Sequence, residues 1–422
     1  MSDDRSLYSA ELETPSDWAA DQDELVLRAV LHAAAHAPEV RERLARAGVE
    51  SAAIGRVADL PAIPVLAKDD LPDLQAAAPP FGGMLAGPVS ELKRIYTSPG
   101  PILDPEGPGP DYWRMAPAFW AAGFRPGHVA LNTFSYHLTP GGMMMDAGLR
   151  EVGCVVIPGG VGNSTAQVEL AVATGASGYV GTPQFLVALL ERAAEVGAGL
   201  GLLRATVTGA PFPPSLRRTV QDEHGVDAFE SYGTADAGTL GYECAERAGW
   251  HVAPGVVIEI ADPATDRPLP AGETGEVVVT SPNPVYPLVR FGTGDLSAFV
   301  PESLGGAPCP CGRTTPRLRG FGGRTGEGVK VKGMFVHPRQ IARALSAHPG
   351  VTRWQAVVTA EAHVDHLTVR VEAGGGELPD PGAMKSALEE AVKLRLEVEL
   401  VEAGAIPEDA RPVADERQAS HE

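Results

Sequence analysis

Four side chains that could hold a metal ion occur as two local pairs. Cys244 and His251 are joined by a short polar segment, and Cys309 and Cys311 follow far downstream with one residue between them. Three thiols and one imidazole suit a tetrahedral zinc ion, whose structural sites usually combine two local ligand pairs. The spacings are not those of a zinc finger, and the alternative is free thiols with an ordinary surface histidine. We expect a closed, structural zinc site within residues 244–311.

A run of arginines lies just after the second cysteine pair. With 34 basic against 54 acidic residues, the chain carries a net charge of -20 and is not expected to bind nucleic acid. A small polyanionic ligand would therefore need a local basic pocket. The densest candidate for that pocket is the set Arg313, Arg317, Arg319 and Arg324.

Two isolated acidic side chains lie among small residues, where a ligand could approach them. Asp295 occurs in the glycine turn GTGDL, and Asp236 is the only acid in the loop GTADAG after a predicted strand. A carboxylate such as Asp236 could approach a metal–phosphate group, or it could make the local backbone hydrogen bond of a turn. The residues alone leave both alternatives open.

His137, in the segment SYHLTPGG, is a candidate general base. Ser135 or Tyr136 would lie near it, and Asp236 would face it across a cleft. The alternative is a histidine that only lines a pocket.

These residues must be positioned by an α/β fold. Between residues 112 and 225, short β-branched runs alternate with helical segments, which predicts a mainly parallel sheet with helices on its faces. Ligands collect at the carboxyl ends of such strands. We therefore expect one cleft lined by the loops at residues 133–137, 159–164, 181–183 and 208–211.

Other segments complete the predicted architecture. Residues 16–47 have helical spacing, a helix begins near Lys68, and residues 255–280 predict an antiparallel hairpin. Residues 92–110 predict a short strand that runs into a Pro/Gly loop. Met143, Met144, Met145 and Cys154 are expected in the core.

The chain is expected to divide into two domains. Its 422 residues are more than a single hydrophobic core usually accommodates. After Gly323 the pattern of strands and helices changes to that of a small α+β domain. We expect a large N-terminal domain at residues 1–322, with parallel sheets and a β-hairpin region, and a small, mobile C-terminal domain at residues 323–422.

The sequence also predicts a cytoplasmic location. No stretch approaches the roughly 18 apolar residues of a spanning helix, and the acidic N-terminus has no apolar core typical of a signal peptide. Four cysteines are too few for a disulfide scaffold.

Taken together, these motifs resemble the phenylacetate–coenzyme A ligases, a branch of the adenylate-forming (acyl-CoA synthetase and luciferase-like) superfamily. The resemblance covers nearly the whole chain. The segments that carry it are AKDDL, NTFSYHLTPGG, IPGGVGNS, TGAPFPPSLRR, ESYGTADAG, PLVRFGTGDL, CPCGR and GGRTGEGVKVKG.

The resemblance implies an activity and its substrates. Such ligases make an acyl-adenylate from a small carboxylic acid and ATP with Mg²⁺, and then pass the acyl group to coenzyme A. It also implies a small-molecule acid or acyl derivative as partner, a structural zinc ion at the CPCGR segment, and a homodimer as one assembly.

The resemblance further implies site residues. Gly209, Ala210 and Pro211 would border the adenine, and Tyr232, Gly233 and Thr234 would line the nucleotide and acyl pockets. Asp295 would hold the ribose hydroxyls, since a carboxylate can accept two hydrogen bonds from a diol. Asp236 stands where the family usually has a magnesium-binding glutamate. Arg324 would lie near the ribose and phosphate, at a hinge about Gly323.

Three segments depart from the family pattern. The Ser/Thr/Gly-rich phosphate loop is replaced by TSPGPILDPEG, whose prolines remove N–H donors. The hinge acid is replaced by Gly326, with Glu327 adjacent. The C-terminal segment AIPEDARPVADER has no lysine, and Arg411, its nearest cation, does not replace a Lys point charge. Ordinary ATP-dependent adenylation is therefore expected to be slow.

Three hypotheses about function follow. The first, which we prefer, is a divergent ligase that activates a small carboxylic acid through an acyl-adenylate. The second is an ATP-independent hydrolase or acyl-transfer enzyme on the same scaffold, with His137 as general base. The third is a non-catalytic acyl-binding protein.

Overall fold

The computed structural model consists of two compact units, residues 1–322 and 323–422. It describes residues 17–98, 100–263, 265–305, 308–325, 329–331, 334–336, 338–346, 348, 350–361, 364–374, 380–392, 394–407, 410 and 412–417. The mixed α/β architecture confirms the predicted fold class.

The helices of the first unit cover the faces of its sheets. They are α1 (Trp18–His36), α2 (Pro38–Arg46), α3 (Leu71–Ala77), α4 (Ala116–Ala121), α5 (Gly141–Val152), α6 (Ser164–Thr174), α7 (Pro183–Glu195) and α8 (Pro214–Arg218).

The prediction of one helix over residues 16–47 is wrong, because α1 and α2 are separated at Ala37. That residue is extended, with φ -102° and ψ 109°. The ring of Pro38 disfavours helical geometry in the preceding residue, whereas proline is well tolerated at the first position of a new helix.

An eight-stranded sheet forms the centre of the first unit. Its spatial order is β14-β10-β9-β8-β7-β6-β4-β5, and the strands from β5 to β8 are parallel. The strands are β4 (Val129–Asn132), β5 (Val155–Pro158), β6 (Gly178–Gly181), β7 (Arg204–Val207), β8 (Asp227–Thr234), β9 (Gly238–Tyr242), β10 (Trp250–Val252) and β14 (Arg317–Leu318).

The predicted alternation of strands and helices is therefore confirmed. Because β4 to β7 run parallel and side by side, the four loops that follow them lie at one edge of the sheet.

A second, four-stranded sheet has the order β1-β13-β12-β11. Its strands are β1 (Leu66–Ala67), β11 (Val257–Ala261), β12 (Gly275–Ser281) and β13 (Leu288–Ser297). The antiparallel pairing of β11 with β12 confirms the predicted hairpin. The short strand β1 pairs in parallel with β13, which aligns Leu66 with Phe291 and Ala67 with Gly292.

The segment predicted as a strand followed by a Pro/Gly loop is instead a tight hairpin. Strand β2 (Arg94–Ser98) pairs antiparallel with β3 (Ile102–Glu106), and three residues connect them. The second strand was missed because two prolines precede Ile102 within four residues. On its far side, the Gln75 amide exchanges two hydrogen bonds, of 2.8 and 2.9 Å, with the backbone of Leu103.

The expected core residues are confirmed. Met144, Met145 and Cys154 are buried, and Met143 packs against the same apolar cluster. In the part of the chain that the structure describes, no helix is both long and apolar enough to span a membrane.

The second unit is a small α+β structure with its own apolar core. Strand β15 (Val329–Val331) pairs antiparallel with β16 (Met334–Val336). A four-stranded sheet has the order β19-β18-β17-β20. The remaining elements are α9 (Pro338–Ser346), β17 (Val351–Glu361), β18 (Val364–Ala373), α10 (Pro381–Val392), β19 (Glu397–Val401) and β20 (Val413–Asp415).

Arg290 links the second sheet of the first unit to its surroundings. Its fully buried guanidinium donates to Glu259 at 3.1 Å, and to the carbonyl oxygens of Ile63 and Asp266 at 2.6 and 2.7 Å. Replacing Arg290 with Met should destabilise the first unit by about 3–5 kcal/mol, because Glu259 would be left buried without its cation. Denaturant unfolding would measure the loss.

Arg28→Met is the matched control, since Arg28 and Glu24 form an exposed pair at 3.9 Å. Its effect should stay within about 0.5 kcal/mol. Similar losses in the two variants would contradict a central role for Arg290.

Candidate functional site

Two residues predicted to bind a nucleotide meet although they lie on different sheets. The Tyr232 hydroxyl, on β8, donates to a carboxylate oxygen of Asp295 on β13 at 3.1 Å. It also lies 3.3 Å from the Thr293 hydroxyl. The Tyr232 ring stacks on Trp250, with ring centroids 5.2 Å apart. Tyr232 is thus held on both sides and fixes the position of the Asp295 carboxylate.

The loops at the carboxyl edge of the large sheet also contact one another. Gly209 has φ +75°, a conformation that favours glycine, and a Cβ at this position would lie 3.4 Å from the Phe134 ring. The Thr133 hydroxyl lies 3.0 Å from the Tyr179 hydroxyl, which in turn donates to the Thr182 carbonyl at 3.0 Å. These contacts join the loops after β4, β6 and β7.

The turn between β8 and β9 is held rigidly from one side. The Trp113 indole donates to the Ala235 carbonyl at 3.0 Å, and Arg114 donates to the Ala237 carbonyl at 2.6 Å. Gly233 has no room for a side chain, because a Cβ there would lie 2.6 Å from the Gly238 carbonyl oxygen. Asp236 lies between the two clamped residues and points into the protein.

The Asp236 carboxylate forms a buried ion pair with Lys68. The distance between Nζ of Lys68 and Oδ2 of Asp236 is 2.5 Å, and the side chains are 21% and 0% exposed. The structure thus gives Asp236 a partner that the sequence analysis did not consider. Sequence reasoning missed Lys68, whose only signal was its position before two acids, which indicated a helix start.

A second acid, Asp104 on β3, lies beside this ion pair. Burial and the neighbouring Asp236 carboxylate raise the pKa of Asp104 to about 7. Burial by itself would lower the pKa of Lys68, but the nearby carboxylates raise it above its ordinary value. These carboxylates belong to Asp236, Asp104 and Asp295. The candidate site thus has one buried ammonium among three acids.

The β2–β3 hairpin occupies the segment predicted as a phosphate loop. The backbone N–H of Thr97 donates to the Leu138 carbonyl at 2.8 Å, so this donor is already used within the protein. Because only three residues connect the strands and the Thr97 N–H is already bonded, the hairpin offers an anion fewer free N–H groups than an open glycine-rich loop would.

His137 lies in the same edge loop but is exposed. Its backbone N–H donates to the Ser135 hydroxyl at 3.1 Å. Among the described residues, no carboxylate pairs with the His137 ring, and Asp236 is engaged by Lys68. The geometry therefore lacks the oriented acid that usually supports a histidine base.

The arginine run makes separate contacts. The Arg313 guanidinium lies 5.5 Å from the Tyr242 ring centroid. Arg317 donates to the Ala248 carbonyl at 3.0 Å, and Arg319 donates to the Gly272 carbonyl at 3.3 Å. These contacts do not favour one shared anion pocket. Arg324 belongs to the second unit and is exposed.

The other departures predicted from the sequence involve Gly326, Glu327 and Arg411, which lie outside the described residues.

The four predicted metal ligands converge in the first unit. The ligand atoms of Cys244, His251, Cys309 and Cys311 all lie within 4.8 Å of one another. The Sγ atoms of Cys244 and Cys309 are 3.9 Å apart, and Sγ of Cys311 is 3.5 Å from Nε2 of His251. A tetrahedron with zinc–sulfur bonds of about 2.3 Å has edges of about 3.8 Å, so the spacing fits zinc.

The His251 ring is also oriented for such a role. Its Nδ1 lies 3.0 Å from the Thr315 hydroxyl and 3.2 Å from the Thr315 carbonyl oxygen. A proton on Nδ1 can be donated to this carbonyl, which leaves Nε2 as the ligand atom facing Cys311.

Comparisons with known proteins agree with this arrangement. The profile of the AMP-binding enzyme family matches residues 111–285, and the profile of its C-terminal domain matches residues 333–417. A phenylacetate-coenzyme A ligase from Thermus thermophilus is 32% identical over 87% of this chain and 84% of that protein. The Escherichia coli enzyme of the same name is 28% identical, over 81% of this chain and 79% of that protein.

A solved structure extends the similarity to the fold. The crystal structure of 2-hydroxyisobutyryl-CoA ligase, in the postadenylation state, superposes with a TM-score of 0.70. It is 25% identical in sequence and covers 97% of this chain and 92% of its own. From these matches, the chain belongs to the AMP-binding (adenylate-forming) enzyme family, as a ligase of the phenylacetate-coenzyme A ligase-like branch.

Proposed function

We propose that this protein is a carboxylate–coenzyme A ligase for a small organic acid. In the first step, a carboxylate oxygen attacks the α-phosphorus of ATP. An O–P bond forms, and pyrophosphate leaves. In the second step, the sulfur of coenzyme A attacks the acyl carbon. A C–S bond forms, AMP leaves, and the thiol proton passes to solvent.

The observation that supports this proposal most directly is the hydrogen bond between Tyr232 and Asp295. A carboxylate held in one orientation can accept two hydrogen bonds from the vicinal hydroxyls of a ribose. Fixing it beforehand lowers the entropy lost on binding. The loop at residues 209–211 would border the adenine.

The hairpin at β2–β3 limits the handling of the triphosphate. Preorganised N–H donors and cations that stabilise a phosphate transition state are each worth about 10²–10³ in rate. With the Thr97 N–H already used, we expect adenylation to be slower than in relatives with an open phosphate loop. Hydrolysis by His137 is not favoured, because the described residues give its ring no acid partner.

The proposal is tested by mixing the protein with ATP, Mg²⁺, coenzyme A and a panel of acids that includes phenylacetate and 2-hydroxyisobutyrate. Pyrophosphate release and acyl-CoA, identified by mass spectrometry, are the expected products. No product with any acid, together with no ATP or AMP binding by calorimetry, would refute the ligase. Thioester hydrolysis without ATP that is lost in His137→Ala would instead favour the hydrolase.

Asp295→Asn should weaken AMP binding about 10–100-fold, since hydrogen bonds to a charged acceptor are worth about 1.5–3 kcal/mol. Tyr232→Phe should weaken AMP binding less, because the Asp295 carboxylate remains and loses only the hydrogen bond from the Tyr232 hydroxyl. Titration calorimetry measures both. Asp262→Asn should bind AMP like the wild type, because Asp262 lies in the turn after β11, where it accepts from the Thr265 N–H at 3.1 Å. Equal affinity in all three variants would remove Asp295 from the nucleotide site.

We also propose that the Cys/His cluster holds a structural zinc ion. Four protein ligands would close its coordination shell, so the ion would stabilise the fold and would not contact substrate. It would tie the turn after β9 to the segment before β14.

The purified protein should contain one zinc ion per chain by elemental analysis. Cys311→Ser should lose that zinc and lower the melting temperature by about 5 °C or more, because metal binding contributes directly to folding. Cys154→Ser is the matched control, since Cys154 is buried in a different part of the unit and should retain zinc. A protein expressed with ample zinc that contains none would rule out the ion.

A further inference from the structure

The resemblance in sequence places Asp236 where the family usually has a magnesium-binding glutamate, and in the structure Asp236 forms an ion pair with Lys68. Oδ2 of Asp236 is 2.5 Å from Nζ of Lys68, and the Asp236 side chain is completely buried. At this distance the ammonium is in direct contact with the carboxylate, and no metal ion fits between them.

The remaining surroundings of Asp236 are enclosed as well. Within the described residues, its Oδ1 and both carboxyl oxygens of Asp104 are buried without a hydrogen-bond partner. Mg²⁺ requires six ligands in near-octahedral geometry and usually keeps several water molecules. The three unpartnered oxygens are too few to complete six ligands, and a divalent cation placed at them would be repelled by the adjacent Lys68 ammonium.

The balance of charge explains why Lys68 remains there. Three carboxylates, those of Asp236, Asp104 and Asp295, act on its ammonium and keep it charged despite burial. An uncompensated buried charge costs several kcal/mol, so Lys68 is the counter-charge on which Asp236 depends. The residues present therefore do not fit a metal at Asp236.

Lys68 is also placed to act on a ligand. It directly follows β1, whose pairing with β13 aligns Ala67 with Gly292, three residues before Asp295. Its side chain is 21% exposed, whereas that of Asp236 is not exposed at all. Part of the Lys68 side chain therefore reaches solvent, whereas the Asp236 carboxylate does not.

We propose that the Lys68 ammonium is a built-in cation that replaces the divalent metal at Asp236, so that the phosphate of a nucleotide is bound without a metal bridge to the protein. Asp236 and Asp104 would be positioning residues that hold the ammonium in place. This inference rests on the proposed nucleotide site, but its metal-binding test does not require turnover.

The first test measures AMP binding by calorimetry, once in EDTA and once with excess Mg²⁺. Wild-type affinity should be the same in both buffers. Lys68→Met, which keeps the length of the side chain but not its charge, should bind AMP at least about tenfold more weakly. Lys68→Arg keeps the charge and should recover part of the affinity.

Lys93→Met is the matched control for this series. Lys93 is also paired with a buried acid, at 3.5 Å from Glu106 on β3, the strand that carries Asp104. The Lys93 side chain, however, is 42% exposed. This variant should bind AMP like the wild type.

The second test uses Mn²⁺ as a spectroscopic probe of the metal-free protein. Wild type should show no Mn²⁺ site that depends on Asp236. In Lys68→Met, two buried carboxylates lose their counter-charge, so a new Mn²⁺ site should appear and should vanish in Lys68→Met/Asp236→Asn.

The outcomes separate the two proposals. If AMP does not bind in either buffer, the proposed nucleotide site fails. If AMP binds only with Mg²⁺, or if wild type binds Mn²⁺ in a manner lost in Asp236→Asn, the built-in cation is refuted. If Lys68→Met does not fold, the wild-type measurements and Lys68→Arg still decide the question. Unchanged AMP affinity in a folded Lys68→Met variant would also refute the built-in cation.

Discussion

The parallel pairing of the two-residue strand β1 with β13 determines the chemistry of the first unit. It aligns Leu66 with Phe291 and Ala67 with Gly292. Lys68 directly follows β1 and Asp295 lies within β13, so backbone hydrogen bonds bring a cation and a carboxylate to the same place. Side chains on rigid strands are held more accurately than side chains on loops. The candidate site therefore depends on a pairing of very few residues.

The elements of the fold were predictable where sequence periodicity is local. Strands β4 to β7 are short β-branched runs between helices, and their order in the chain implies parallel pairing. The Cys/His cluster was also predictable, because thiols are rare and their chemistry is specific. The break at Ala37 could have been found, since it directly precedes Pro38.

The candidate site was less predictable, for two physical reasons. Lys68 and Asp236 are 168 residues apart, and a lysine before two acids is common at the start of a helix. Asp104 lies between prolines in a segment that does not resemble a strand, and only the pairing of β2 with β3 buries it. For the arginine run, Arg313, Arg317 and Arg319 make separate contacts, so density of charge along the chain is weak evidence for a shared pocket.

The ends of the large sheet have a consequence for association between chains. An exposed sheet edge offers unpaired N–H and C=O groups to a strand of another molecule. At one margin, β14 is only two residues long and its outer side is already covered, since the Val300 N–H donates to the Arg317 carbonyl and the Arg319 N–H donates to the Ala298 carbonyl, both at 2.8 Å. The other edge is β5, which ends in Pro158, a residue without an N–H group. The eight-stranded sheet thus offers a strand of another molecule little template for aggregation at either margin.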